Sequence, residues 1–164
     1  GWDGLRLAVL INRGTASSAE VIAGALQDHD RAVVVGTASY GKGVLQTTYP
    51  LGQDMAIKLT TARWFTPSGR TVQRFPLDTL SAQSFLIPPS RPRTFRTEGG
   101  RAIVDADGVV PDVSVQALPM LEGEPAERFV DDRRQAEGDR QIQSALRVLR
   151  GARTQHDAIA AATR

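Results

Sequence analysis

Two residue types in this sequence could do covalent chemistry together. The stretch NRGTASSAEVIAGALQD, residues 12–28, carries three hydroxyls, Thr15, Ser17 and Ser18, between an apolar run and a helix-like pattern. A serine hydroxyl becomes a nucleophile when a neighbouring base accepts its proton. Histidine occurs only twice, as His29 and His156. His29 lies beyond the far end of the same helical pattern, roughly 18 Å from Ser17 at the rise of a helix. His156 stands among charged and small residues, where a solvated role is expected. Lysine is the alternative base. Of the 20 basic side chains only Lys42 and Lys58 are lysine, the rest arginine. Arginine keeps its proton in a protein, whereas a desolvated lysine can lose it. Lys58 sits in the β-like pattern AIKLT and reads as a surface residue with a snorkelling stem. Lys42 stands between two glycines, in a short turn after the apolar run AVVVG.

The hydroxyl cluster also has a purely structural reading. Ser17-x-x-Glu20 before a helix is a capping-box pattern, in which hydroxyl and carboxylate satisfy orphan N–H groups. The same helix start offers free N–H donors and the positive end of the helix dipole, which an oxyanion requires. Cap and nucleophile therefore use one geometry, and the pattern alone leaves both open.

The surrounding elements decide whether serine and lysine can meet. Residues 5–11, LRLAVLI, read as a buried strand. From Ser17 or Ser18 to Asp28, Val21, Ile22, Ala25 and Leu26 share the spacing of one helical face. AVVVG, 32–36, reads as a second buried strand. Strand, helix and strand at this spacing make a βαβ unit with parallel pairing. Such a unit brings the ends of both strands to one sheet edge, and with them Ser17 and Lys42. The next segments, VLQTTYPL and DMAIKLTTARWF, could pair as antiparallel strands about GQ, and TPSG marks a turn. Residues 74–100, with Pro76, Pro88, Pro89 and Pro92, read as a long loop or flap. Residues 99–115 read as a short strand, a turn and another strand. Segments 125–136 and 139–150 read as helices, with 154–163 weaker; Ile142, Ala145, Leu146 and Leu149 form the middle one's packing face. The domain reading is a catalytic-type part over 1–118 and a helical extension over 119–164.

Several other function classes are weakly supported. Gly36 to Gly43, GTASYGKG, has the glycine and lysine spacing of a phosphate-binding loop. Gly43 replaces the Ser or Thr that would ligate magnesium, and a β-rich segment follows instead of a helix. The acidic pairs Asp131-Asp132 and Asp105-x-Asp107 have no histidine nearby to complete a metal site. RPRTFR, 91–96, is too short to indicate nucleic acid and reads as a solvated loop. The net charge of +2 demands neither nucleic acid nor an acidic membrane. No cysteine is present, which removes disulfides and thiolate chemistry. LRLAVLI is far too short to span a bilayer. The opening GWDG runs straight into a strand, as expected of a piece of a longer protein.

With these residues in place, the chain resembles the carboxyl-terminal-processing, or tail-specific, serine peptidases. LAVLINRGTASSAEVIAGALQD is similar to the family's strand, nucleophile turn and helix, and RAVVVGTASYGKGVLQ to its strand and lysine turn. LTTARWFTPSGRTVQ and DGVVPDV are similar to its later strand, turn and closing element. The resemblance covers about residues 5–73 and 95–115. It implies Ser17 as nucleophile, Lys42 as general base, Gln46 as a residue orienting the lysine amine, and the Ser18 N–H as half of an oxyanion hole. Glu20 and Asp28 match acidic positions of the family and read as structural supports. The implied fold is α/β, the latter part of a crotonase/Clp-protease-like ββα core, with C-terminal helices. The implied activity is endopeptidase cleavage of protein substrates near their C-termini, through an acyl-enzyme, with no metal and no cofactor. Implied partners are protein or peptide substrates, with room for a regulatory or adaptor protein and for a homo-oligomer, and no nucleic acid. The implied location is extracytoplasmic, on the periplasmic side in a bacterium. The family's substrate-selecting PDZ domain and the first half of its catalytic core have no counterpart here, and residues 74–94 form a longer insertion than expected. A non-catalytic binding or scaffold module of the same fold is the competing reading.

Overall fold

The computed structural model describes residues 4–74, 93–104, 108–116 and 138–163. The expected βαβ unit is present. Strand β1 (Ala8–Ile11) leads through a turn to helix α1 (Ser18–Asp28) and strand β2 (Val33–Gly36). β1 and β2 pair in parallel from Ala8↔Val33 to Ile11↔Gly36, so their carboxyl ends coincide. Strand β7 (Val113–Ser114) joins the other side of β2, also in parallel.

Burial explains why β2 is central. Its four residues are all buried, and alternation sends them to two cores. Val33 and Val35 pack on Ala145, Ala152, Ala158 and Ile159 of the C-terminal segment. Val34 faces Ile11, Ala23, Val72 and Val109. Each fully buried valine contributes about 1.5–3 kcal/mol. The sheet is thus a middle layer, with α1 on one face and helices α2 (Arg140–Gly151) and α3 (Gln155–Ala162) on the other. Asp139 caps α2 through its side chain, and Thr154 caps α3. Gln155 binds both main-chain groups of Leu7, its Oε1 accepting the N–H at 2.6 Å and its Nε2 donating to the carbonyl at 3.2 Å. The C-terminal helices therefore belong to this fold's core.

Three sequence expectations change in the parallel unit and the C-terminal helices. β1 is not fully buried: it is an edge strand of its sheet, with Leu10 exposed and Ile11 buried. The buried face of α1 is not Val21, Ile22, Ala25 and Leu26 but Glu20, Ala23, Gly24, Gln27 and Asp28. Ile22 is 60% exposed. The small Gly24 allows close packing, since a Cβ there would lie 2.9 Å from Thr66 Cγ2, and the buried polar groups are paired. On α2, the residues packed on the sheet core are Ala145, Val148 and Leu149, slightly rotated from the expected face.

Strands β3 (Val44–Pro50) and β4 (Ala56–Arg63) form the expected antiparallel ribbon, with a bulge between Leu45 and Gln46. Residues 94–96, placed in a loop by sequence, are strand β5 (Thr94–Arg96), paired with β6 (Ala102–Val104). The TFR triplet suits a pleated surface, and its partner AIV supplies the ladder. Most of the expected 74–100 loop, the expected helix at 125–136 and both acidic pairs lie outside the described residues. No helix among those described is long and apolar enough to cross a membrane.

Candidate active site

The two turns that follow β1 and β2 are joined by one carboxylate. Glu20 lies in the first turn of α1 and is fully buried. Its Oε2 accepts the N–H of Ser17 at 2.9 Å and the N–H of Lys42 at 2.8 Å. Its Oε1 accepts the N–H of Gly41 at 2.7 Å and the hydroxyl proton of Ser39. A carboxylate offers about four acceptor positions, and here all are used. Ser17 N and Lys42 N share one oxygen, so the two backbones are held within two hydrogen-bond lengths of each other. The Tyr40 N–H adds a direct link, donating to the Thr15 carbonyl at 2.9 Å.

Ser17 is the N-cap residue of α1, at φ 56° and ψ −122°. Only Ser17 and Asp30 among the described non-glycine residues have positive φ. Such a backbone costs about 1–3 kcal/mol and persists where surrounding bonds enforce it; the Glu20 carboxylate supplies one of those bonds. Ser17 is half-buried, Thr15 likewise, and Ser18 is exposed. Ser18 opens the helix, so its N–H has no intrahelical acceptor. A groove of about 670 Å³, lined by Val9, Ile11, Thr15, Ala16, Ala19 and Ile22, runs between β1 and α1 to this turn.

The Lys42 turn is shaped by glycines. Gly41 has φ +92°, and a Cβ there would lie 2.6 Å from Arg74 Cβ. Gly43 donates to Gln73 Oε1 at 2.9 Å. The Lys42 side chain is exposed, so the described residues do not supply the desolvation expected from sequence. Gln46 is half-buried at the bulge of the β3–β4 ribbon, on the strand that follows the Lys42 turn. Lys58 is exposed on β4. His29 is exposed at the far end of α1, bonded to Glu98 at 2.9 Å, and His156 is exposed on α3. Among the described residues no three His, Cys, Asp or Glu side chains gather as a metal site would require.

The phosphate-loop reading loses its donors. The Gly41 and Lys42 N–H groups that would cradle a phosphate are bonded to Glu20. A strand, β3, follows Gly43 where the motif needs a helix.

Asp28 closes the other end of α1. It is buried, and Oδ1 accepts from Arg70 Nε at 3.1 Å and Nη2 at 2.9 Å, while Oδ2 accepts the Ser68 N–H at 3.0 Å. Burial by itself pushes the Asp28 carboxyl up, but hydrogen bonds from Thr66 and Ser68 and the Arg70 charge outweigh it and hold the carboxyl below its ordinary value. Asp112, in the DGVVPDV segment, accepts from Val34 N, Gln27 Nε2 and Arg101 Nη1 and so ties the closing segment to β2 and α1.

Sequence reasoning placed Glu20 in a cap and missed its reach to Gly41 and Lys42, and missed Ser39 altogether. The available signal was the small and polar stripe Glu20, Ala23, Gly24, Gln27 and Asp28, at the spacing of one helical face.

Comparison with known proteins finds similarity over the segment that carries these turns. Residues 3–78 match the model of peptidase family S41. The chain is 57% identical over 67 residues to the carboxy-terminal-processing protease of Bartonella bacilliformis, covering 41% of this chain and 15% of that protein. It is 44% identical over 68 residues to the chloroplastic C-terminal processing peptidase of Tetradesmus obliquus, covering 42% of this chain and 15% of that protein. The solved photosystem II D1 C-terminal processing protease matches with 30% identity and a TM-score of 0.40, over 68% of this chain and 20% of that one. The matched segment thus spans about 15% of the length of these two curated relatives. Over residues 3–78, the segment that carries Ser17, Glu20 and Lys42, the chain is thus similar to peptidase family S41 and to the carboxy-terminal-processing peptidases.

Proposed function

We propose that this chain carries the serine and lysine of an endopeptidase active site. One observation carries the reading: a single buried oxygen, Glu20 Oε2, bonds the main-chain N–H of both Ser17 and Lys42. In the proposed reaction the Lys42 amine, unprotonated, takes the Ser17 hydroxyl proton as Oγ attacks the scissile carbonyl carbon. The Ser18 N–H stabilises the oxyanion that forms, with a second donor supplied from outside these residues. The Lys42 ammonium then protonates the leaving amine, which departs and leaves Ser17 acylated. Water, deprotonated by Lys42, hydrolyses the ester and restores both groups. Gln46 orients the lysine amine.

Lys42 is exposed in this chain. Its desolvation, which favours the neutral amine, is assigned to bound substrate and to the remainder of a longer protein, since the match spans 15% of the relatives' length. The same reading assigns the fold to the latter part of a crotonase/Clp-protease-like core. It assigns protein substrates cut near their C-termini, an extracytoplasmic location, and a regulatory partner or homo-oligomer. The second reading is a non-catalytic module of the same fold, and the exposure of Lys42 is the observation in its favour.

Hydrolysis of an unfolded protein substrate by the full-length protein separates the two. Ser17→Ala and Lys42→Ala are each expected to lower the rate by about 10³-fold or more. Unchanged hydrolysis in either variant would contradict the dyad.

A further inference from the structure

Ser39 couples the serine and lysine turns to a third segment that the proposed chemistry does not use. The residue is fully buried. Its hydroxyl accepts the Val109 N–H at 2.7 Å and donates its proton to Glu20 Oε1. Its own main-chain N–H donates to the Val109 carbonyl at 3.1 Å. A serine hydroxyl has one proton. With Val109 N–H approaching from one side, that proton is aimed at Glu20. Gly108 makes the approach possible: its φ is +90°, and a Cβ there would lie 2.6 Å from Ser39 Oγ.

The division of labour on the carboxylate gives this bond its consequence. Oε1 is held by Ser39 and Gly41, and Oε2 faces the main chains of Ser17 and Lys42. Rotation of the carboxylate would weaken both Oε2 bonds together. Gly41 belongs to the lysine turn and can move with it. Ser39, clamped by the 108–109 main chain, is the donor anchored to another part of the fold.

We propose that Ser39 is a positioning residue, whose hydroxyl fixes the rotation of the Glu20 carboxylate and thereby the spacing of the Ser17 and Lys42 turns. The catalytic part of this proposal rests on the peptidase reading above.

The test uses the full-length protein with Ser39→Ala, with Ser39→Thr as the variant that keeps the hydroxyl, and with the size-matched Ser39→Cys where alanine compromises folding. Ser39→Ala is expected to lower kcat by about 10- to 100-fold with little change in KM, Ser39→Thr to recover most of it, and Ser39→Cys to fall between. Hydrogen exchange supplies a readout that does not need activity. The Ser17 and Lys42 amides are expected to exchange faster in Ser39→Ala, while the Ser68 amide bonded to Asp28 does not change. Unchanged exchange at Ser17 and Lys42, or equal loss of kcat in the alanine and threonine variants, would overturn the proposal. A wild type that cleaves nothing would sink the peptidase reading, and the exchange result would still decide whether Ser39 sets the two turns.

Discussion

The Glu20 carboxylate accepts the main-chain N–H of Lys42 at 2.8 Å, although most of a helix and a whole strand separate the two residues in sequence. This bond turns a helix-capping acid into the link between two loops. Glu20→Gln keeps the volume but points an amide donor at N–H donors. Each buried donor left unpaired costs about 1–3 kcal/mol. The expected result is a loss of about 2–5 kcal/mol in chemical denaturation, together with a fall of about 100-fold in hydrolysis. Wild-type stability in this variant would show that the shared carboxylate is dispensable.

Ser17 holds a backbone conformation that suits glycine better than serine. Ser17→Gly is therefore expected to remove the proposed nucleophile while raising stability by about 1 kcal/mol. Ser17→Ala keeps the strain and gains nothing. Thermal denaturation of the two variants side by side checks the difference.

Much of this site was legible in the sequence, for identifiable reasons. The hydrophobic runs of β1 and β2 and the intervening helix fixed the parallel unit, and parallel pairing dictates that the ends after Ile11 and Gly36 coincide. Scarcity of lysine singled out Lys42. What was not legible depends on contacts between distant residues. The apolar residues of α1 suggested the wrong buried face, because paired acids and a glycine can be buried as readily as aliphatics. Ser39 looked like one more hydroxyl in a glycine-rich turn, and only the approach of Val109 gives it a role. The exposure of Lys42 is equally a tertiary property, set by what lies over the turn.

Gly36 shows how closely the two strand ends approach. Its φ is +135°, and a Cβ there would lie 1.9 Å from the Ile11 carbonyl oxygen. Gly36→Ala cannot be absorbed by a side-chain adjustment, because the obstacle is main chain. It is expected to cost about 3 kcal/mol or more and to reduce the yield of folded protein, measured by circular dichroism and a denaturation midpoint.

The buried Asp28–Arg70 pair predicts an acid-sensitive stability. The Asp28 carboxyl is held below its ordinary value of 3.8, and Asp30 is shifted in the same direction. A depressed folded value means that the stabilisation is complete above the unfolded value and is lost as pH falls through the folded one. Denaturation midpoints are therefore expected to be flat from neutrality down to about pH 5 with respect to these groups and to drop below about pH 4. Arg70→Met leaves Asp28 buried without its cation, which is expected to cost about 3–5 kcal/mol. In that variant the acid drop should shrink, because without the Arg70 charge the folded Asp28 value rises toward the unfolded one.

The central claim is that Ser17 is acylated with Lys42 as its base, and covalent labelling tests it most directly. The full-length protein is treated with a serine-directed fluorophosphonate, digested with trypsin and analysed by mass spectrometry. The expected adduct lies on the peptide from Gly14 to Arg31, at Ser17, is absent in Ser17→Ala, and forms more slowly, by about tenfold or more, in Lys42→Ala. No adduct on that peptide in a folded wild type, with hydrolysis unchanged in Ser17→Ala, would contradict it.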